Sequence, residues 1–186
     1  MKCAAAAAAV FGVVCIAPAM AADPVAGACP KPGTVLQTSI PSTVTVLSAD
    51  GLICTIRSSA TGEGSLIGLV LRRGPQFEPP PEALAAVSGL WPLASGKSAS
   101  YTLRIPNGGS WSEKYAVHSK RKVTVKAGAF EAFELVQTET GGEFEGIYDF
   151  YIAPDLGYIV KFRFRLTKGS PDRTPPDWEL VSVKAP

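Results

Sequence analysis

Side chains in the C-terminal half of the chain alternate between apolar and polar over long runs, a pattern typical of antiparallel β-strands with one buried face. Two such runs flank the Gly-Gly dipeptide at 141–142, which is typical of a two-residue hairpin loop. This loop predicts that Leu135 lies opposite Tyr148 and that Phe133 lies opposite Phe150. The large apolar side chains then share one face of the hairpin.

A second connection, at residues 153–157, predicts the register of the next strand. If Ile152 lies opposite Tyr158, then Tyr148 lies opposite Phe162 on the apolar face. On the other face the same register predicts the pairs Asp149–Lys161, Glu145–Arg165 and Ile147–Arg163. A slip of one residue would exchange the two faces. The pattern therefore predicts one aromatic face and one charged face.

The N-terminal half contains further strand signals and one helix signal. Two β-branched runs, 43–47 and 52–56, are separated by a turn at Gly51 and predict a hairpin. Prolines 79–81 interrupt the strand pattern and precede a short predicted helix near 81–88. Because an antiparallel sheet with one helix must bury its own face, we predict an all-β fold, a curved sheet built as a sandwich or a half-open barrel.

The first 21 residues have the features of a cleavable export signal. Lys2 is followed by an alanine-rich apolar run that ends before Pro18, and small residues occupy the cleavage positions at 19–21. The run is shorter than the roughly 20 residues that cross a bilayer. We therefore expect cleavage after residue 21 and a single β-rich domain at 22–186, located in the periplasm or secreted.

The charge balance of the mature chain gives no indication of a nucleic-acid partner. Loss of Lys2 takes the Lys and Arg count from 18 to 17, against 16 Asp and Glu, a formal charge of +1. Such a balance creates no global field that attracts a polyanion. No later stretch is long and apolar enough to span a membrane, so we expect the mature chain not to be membrane-spanning.

Two cysteines, Cys29 and Cys54, remain after cleavage of the predicted signal. An even pair in an oxidising compartment predicts a disulfide, which at this spacing is worth roughly 3 kcal/mol on the chain-entropy model. The sequence has no C-x-x-C motif and no histidine near these two cysteines, so it does not indicate a redox or metal site. We expect no cofactor.

Catalytic signals are weak. His118 is the only histidine, so a Ser-His-Asp triad would have to use it, but no G-x-S-x-G motif is present. His118 also adjoins the basic run 119–122, which is typical of a solvated strand end. The sequence at 95–98 resembles part of a phosphate loop, but Trp91 stands where that motif needs its first glycine. A periplasmic hydrolase that uses His118 remains the alternative to a non-catalytic protein.

Two sets of side chains are candidate binding residues. The set for an anion or a protein partner is Lys120, Arg121, Lys122 and Arg163. The set for an apolar pocket or core is Phe133, Tyr148, Phe150 and Phe162. Single-stranded nucleic acid would require aromatic and basic side chains on the same surface, and the predicted faces separate them.

Three motifs resemble those of a bacterial family of exported β-rich domains of unknown function. The motifs follow the patterns P-L-x-x-G-K at 92–97, V-T-V-x-A-G-x-F at 123–130 and A-P-D-x-G at 153–157. The resemblance covers roughly residues 90–166. It implies a β-rich envelope protein and supplies no catalytic residues.

The aromatic face and the weak catalytic signals together predict a non-catalytic domain of the cell envelope. Its expected partner is either an envelope protein or a small apolar ligand, bound through the curved sheet.

Overall fold

The computed structural model describes residues 28–74, 78–105 and 109–186. The predicted export signal at 1–21 lies outside these ranges. The described chain forms twelve strands, one α-helix and one 3-10 turn. The strands are β1 Val35–Thr38, β2 Thr43–Asp50, β3 Ile53–Ser58, β4 Gly62–Ile67, β5 Leu71–Arg73, β6 Ser98–Ile105, β7 Gly109–Val117, β8 Arg121–Val125, β9 Gly128–Gly141, β10 Phe144–Ala153, β11 Tyr158–Lys168 and β12 Trp178–Lys184; the helix α1 is Pro81–Leu90 and the 3-10 turn is Pro171–Arg173.

The strands form one open, antiparallel sheet, which confirms the predicted all-β class. Their order is β5-β4-β3-β2-β1-β12-β11-β10-β9-β7-β6. Strand β8 lies off this path and pairs with the first part of β9, at residues 128–132. Helix α1 contacts β4 and β5 at one edge of the sheet and β6 at the other. The sheet therefore curves until both edges lie against the same helix. None of the helical segments in the described ranges has the length and hydropathy of a membrane span.

Helix α1 begins where the prolines predict, but it ends at Leu90, two residues beyond the predicted end. Gly89 lies inside its last turn. Burial explains the extension, because Leu90 is 1% exposed and packs in the core. The helix also packs closely on Gly68, where a Cβ would lie 2.6 Å from Val87 Cγ1.

The register predicted for the β9–β10 hairpin is wrong by two residues. The loop consists of residues 142–143, because Gly142 has the positive φ (+57°) that favours glycine, while Gly141 stays in the strand. A shift of two residues leaves every side chain on its predicted face. The predicted pairs Leu135–Tyr148 and Phe133–Phe150 are replaced by Leu135–Phe150 and Phe133–Ile152.

The register predicted for β10 and β11 is also wrong by two residues over most of its length. Ala153, not Ile152, lies opposite Tyr158, and Val160 is an extra residue that forms a bulge. The loop and the bulge each add one residue, so the faces are again preserved. The observed pairs Tyr148–Phe164, Asp149–Arg163, Ile147–Arg165 and Glu145–Lys168 replace Tyr148–Phe162, Asp149–Lys161, Ile147–Arg163 and Glu145–Arg165.

A disulfide joins Cys29 to Cys54 on β3, as predicted, with the two Cα atoms 5.3 Å apart. The segment at Cys29 also lies against the loop between β10 and β11. A Cβ on Gly157 in that loop would be 2.6 Å from the carbonyl carbon and oxygen of Cys29. This corner therefore connects β3, the N-terminal segment and the β10–β11 hairpin, which are distant in the sheet order.

We expect Gly157→Ala to destabilise the protein more than Gly142→Ala. Both glycines have positive φ (+71° and +57°), so alanine costs each a similar backbone strain of about 1 kcal/mol. Only at Gly157 would the methyl group also overlap a neighbour, since nothing lies within 4 Å of a Cβ on Gly142. The overlap should add about 1–3 kcal/mol. Urea unfolding of the two variants measures the difference, and equal losses would contradict the packing of this corner.

Candidate functional site

One face of the central strands carries a continuous series of aromatic rings, here called the aromatic face. Neighbouring ring centroids in the series are between 4.8 and 6.5 Å apart. Phe150 and Phe162 are buried, and the other rings are partly exposed. In order of contact, the series is Trp111, Phe144, Phe164, Tyr148, Phe150, Phe162 and Trp178.

Three of the four predicted aromatic residues, Tyr148, Phe150 and Phe162, are in this series. The fourth, Phe133, lies on the same side of β9 but farther along the strand, opposite Ile152. The sorting of rings onto one face thus follows the predicted alternation.

At one end of the series, the rings of Trp111, Phe144 and Phe164 are stacked with nearly parallel planes; these three rings are here called the platform. The ring planes differ by 7° between Trp111 and Phe144 and by 14° between Phe144 and Phe164. Two glycines lie beneath these rings. A Cβ on Gly141 would be 2.0 Å from Trp111 Cε3, and one on Gly146 would be 2.7 Å from Phe164 Cε2. Because a Cβ points out of the sheet, the rings must lie across the glycines and parallel to the sheet.

An open cleft adjoins the platform. Its volume is about 300 Å³, which is at the lower end of the range for small-molecule sites. The residues that line it are Trp111, Gly141, Glu143, Phe144, Gly169 and Ser170. Two of the platform rings, Trp111 and Phe144, therefore form one wall of a space that is open to solvent.

A second open cleft, of about 250 Å³, lies at the other end of the aromatic series. It occurs where β11 and β12 separate after only two residue pairs, and it includes Phe162, Trp178 and Arg163. The predicted partner of Arg163, Ile147, is wrong, because Arg163 lies opposite Asp149. The carboxylate of Asp149 is 6% exposed and forms its salt bridge with Arg165, at 3.1 Å.

Two glutamates interrupt the aromatic face beside the platform. Glu113 on β7 lies directly opposite Glu139 on β9. The carboxylate of Glu113 accepts hydrogen bonds from the hydroxyl of Tyr115 and, at 2.8 Å, from Nε2 of Gln137. The phenol of Tyr148 lies near Glu139 and lowers the pKa of its carboxyl group. Phenol and amide donors thus hold the carboxylate of Glu113 next to the rings.

Burial sets the protonation of this cluster. Burial raises the pKa of Glu139; the neighbouring phenol of Tyr148 lowers that pKa, and the nearby charge of Glu113 raises it. Burial also raises the pKa of Tyr101, Tyr115 and Tyr148, and the adjacent carboxylates raise it further. The three phenols therefore remain protonated at neutral pH, and that of Tyr115 donates to Glu113.

Sequence reasoning did not identify Trp111, Glu113 or Glu139. A signal was present, because Gln137 and Glu139 continue the i, i+2 series that begins at the buried Leu135. Polar residues in phase with a buried series indicate either a satisfied polar cluster or a site. The platform could not be identified in this way, because it depends on which residues lie opposite the two glycines. Only the correct register of the strands shows which residues those are.

The predicted basic set does not form one surface. Arg121 points to the other side of β8 from its neighbours, where it contacts Glu134 at 3.0 Å and the hydroxyl of Tyr151 at 3.1 Å. Lys120 lies over the ring of Phe133, with Nζ 6.0 Å from the centroid. Lys122 is exposed on β8, and Arg163 lies on β11 at the second cleft. Binding of an anion by this set remains a prediction.

His118 is exposed between β7 and β8. Its backbone N–H donates to the carbonyl of Glu134 at 2.8 Å, and within the described ranges its imidazole has no hydrogen bond to a serine or a carboxylate. The same ranges contain no group of three or more His, Cys, Asp or Glu side chains arranged to hold a metal ion.

Comparison with known proteins gives no match to a family model and no match to a curated protein. The resemblance to a family of exported domains therefore stays a prediction. A solved structure from Bacteroides fragilis, described as having a YmcC-like fold and thought to be exported, is 12% identical with a TM-score of 0.44. The similarity covers 83% of this chain and 97% of that protein. Values this low transfer neither an activity nor a ligand to this chain.

We expect Glu139→Gln to stabilise the protein at neutral pH, because the folded state disfavours the charged carboxylate. The stability from a protonated Glu139 is fully present below the unfolded-state pKa, near 4.5, and is lost as pH rises through the raised folded-state pKa. The advantage of the variant should therefore shrink from about pH 7.5 to about pH 4. Urea unfolding at both pH values measures this.

A matched control is Glu143→Gln, whose side chain is 95% exposed in the β9–β10 loop. It should change stability by less than about 0.5 kcal/mol at either pH. An equal effect of Glu139→Gln at both pH values would show that its carboxylate is not destabilised by folding.

Proposed function

We propose that this protein is an exported, non-catalytic domain of the cell envelope that binds its ligand on the platform of the aromatic face. The observation that carries the proposal is the parallel arrangement of the Trp111, Phe144 and Phe164 rings over two glycines, beside an open cleft. Rings that only filled a core would have both faces covered, whereas these three are partly exposed. Exposed, rigid aromatic surface is typical of binding sites.

Packing of the interior favours binding at the surface over an enclosed carrier. Several large core side chains have no solvent-accessible surface, which leaves no water-sized void beside them. They include Leu36, Leu135, Ile152, Val160 and Leu180. The cleft beside the platform is open. A ligand would therefore lie along the sheet, with one side in contact with the rings.

Export and lack of catalysis are supported by separate features. The Cys29–Cys54 disulfide is typical of a protein that folds outside the cytoplasm, in agreement with the predicted signal at 1–21. The alternative hydrolase would use His118, which is exposed and has no catalytic partner in the described ranges. The polar groups around Glu113 are hydrogen-bonded to one another beside the rings, an arrangement that suits recognition of a ligand.

We expect Phe144→Ala to weaken ligand binding by about tenfold or more, because loss of one stacking ring typically costs over 1 kcal/mol. The test is a titration of the mature chain with defined envelope components: neutral and acidic oligosaccharides, a fatty acid and an Arg-rich peptide. Tryptophan fluorescence provides the readout, since Trp111 is in the platform and Phe144→Ala retains it.

The matched control is Phe130→Ala, which removes a partly buried phenylalanine from the opposite side of β9. It should leave the affinity unchanged. If no component binds saturably, or if the two variants weaken binding equally, the platform is not the binding site.

A further inference from the structure

The platform rings follow one another with nearly constant spacing. The centroids of Trp111 and Phe144 are 5.8 Å apart, and those of Phe144 and Phe164 are 6.5 Å apart. All three planes are within 14° of their neighbours, so the rings form a row and not a cage. A quaternary ammonium group is typically enclosed by rings at steep angles, and a single guanidinium covers only one ring. A row of flat rings instead fits a ligand whose flat, apolar units also repeat.

Hydrogen-bonding groups lie along one side of this row. Glu113 lies on the strand beside the rings and is held there by the buried Gln137, and Glu139 lies directly opposite Gly146. Tyr148 adds a phenol that stays protonated and is itself part of the aromatic series. The ligand therefore needs an apolar face for the rings and a polar edge rich in hydroxyl or amide groups.

The local charge excludes acidic ligands. Glu113 and Glu139 lie on the aromatic face and Glu143 lines the adjoining cleft, whereas Lys168 is the nearby cation, 3.5 Å from Glu143. A phosphate or a uronic acid would be repelled by this set of carboxylates. Hydroxyl groups are donors that carboxylates accept from readily.

From this geometry we infer that the ligand is a glycan chain without acidic groups, bound with successive sugar rings on Trp111, Phe144 and Phe164. The inference rests on the proposed function and gives its ligand a chemical class. Sugar rings have a flat face of C–H groups and an edge of hydroxyls, and their chains repeat such units. Those properties match the row of rings, the acceptors beside it and the negative charge of its surroundings.

The test compares oligosaccharides of one length and different charge by isothermal titration with the mature chain. The neutral probes are the hexamers of β-1,4-linked glucose and of β-1,4-linked N-acetylglucosamine; the acidic probe is hexagalacturonate. We expect at least one neutral hexamer to bind about tenfold more tightly than its dimer and about tenfold more tightly than the acidic hexamer. Length dependence is expected because a dimer cannot cover three rings.

Three variants examine the geometry without removing charge. Trp111→Ala should weaken binding of the neutral hexamer about tenfold, and Trp111→Tyr should restore most of it by returning a flat ring. Gly146→Ala keeps every ring but would place a methyl group 2.7 Å from Phe164 Cε2, so the rings must tilt and the affinity should fall. Circular dichroism of each variant verifies that it is folded.

The outcomes separate the two proposals. If only the fatty acid or the Arg-rich peptide binds, and Phe144→Ala abolishes it, the glycan class is wrong and the binding platform stands. Equal affinity for the acidic and neutral hexamers, or no dependence on length, likewise overturns the glycan class. If none of these ligands binds, both proposals fail.

Discussion

The antiparallel ladder of β9, β10 and β11 is the constraint on which the rest of the structure depends. Each side chain in these strands faces one side of the sheet or the other, and the choice repeats every two residues. The ladder places the rings of β10 and β11 on one face and leaves Asp149, Arg163 and Arg165 on the other. If the alternation of one strand were shifted by one residue relative to its neighbour, the aromatic series would be divided between the two faces of the sheet.

Glycine turns this aromatic face into a surface that a ligand can use. At Gly141 and Gly146 the missing side chains leave space directly above the sheet, and rings from neighbouring strands occupy it. Cross-strand packing of an aromatic ring on a glycine compensates for the weak strand propensity of that residue. The same contact that stabilises the strand also holds the ring flat. Stability and the proposed binding function therefore depend on the same contacts at the platform.

The opposite end of the molecule provides the rigidity that such a surface requires. The Cys29–Cys54 disulfide and the close approach of Gly157 to Cys29 connect β3 to the β10–β11 loop. Helix α1 contacts both edges of the open sheet. A curved sheet without closure by hydrogen bonds is thus restrained at two places, and the proposed ligand would not have to order the strands on which it binds.

The amino-acid sequence by itself determined the all-β class, the disulfide and the face on which Phe133, Tyr148 and Phe162 lie, because these follow from local alternation and from cysteine count. Only the tertiary structure decided which residues are opposite one another. The positions of the loop at 142–143 and of the bulge at Val160 depend on backbone conformation and burial, and both change the register by whole residues without changing the faces. The platform follows from that register, because no local pattern records that a ring on one strand covers a glycine on the next.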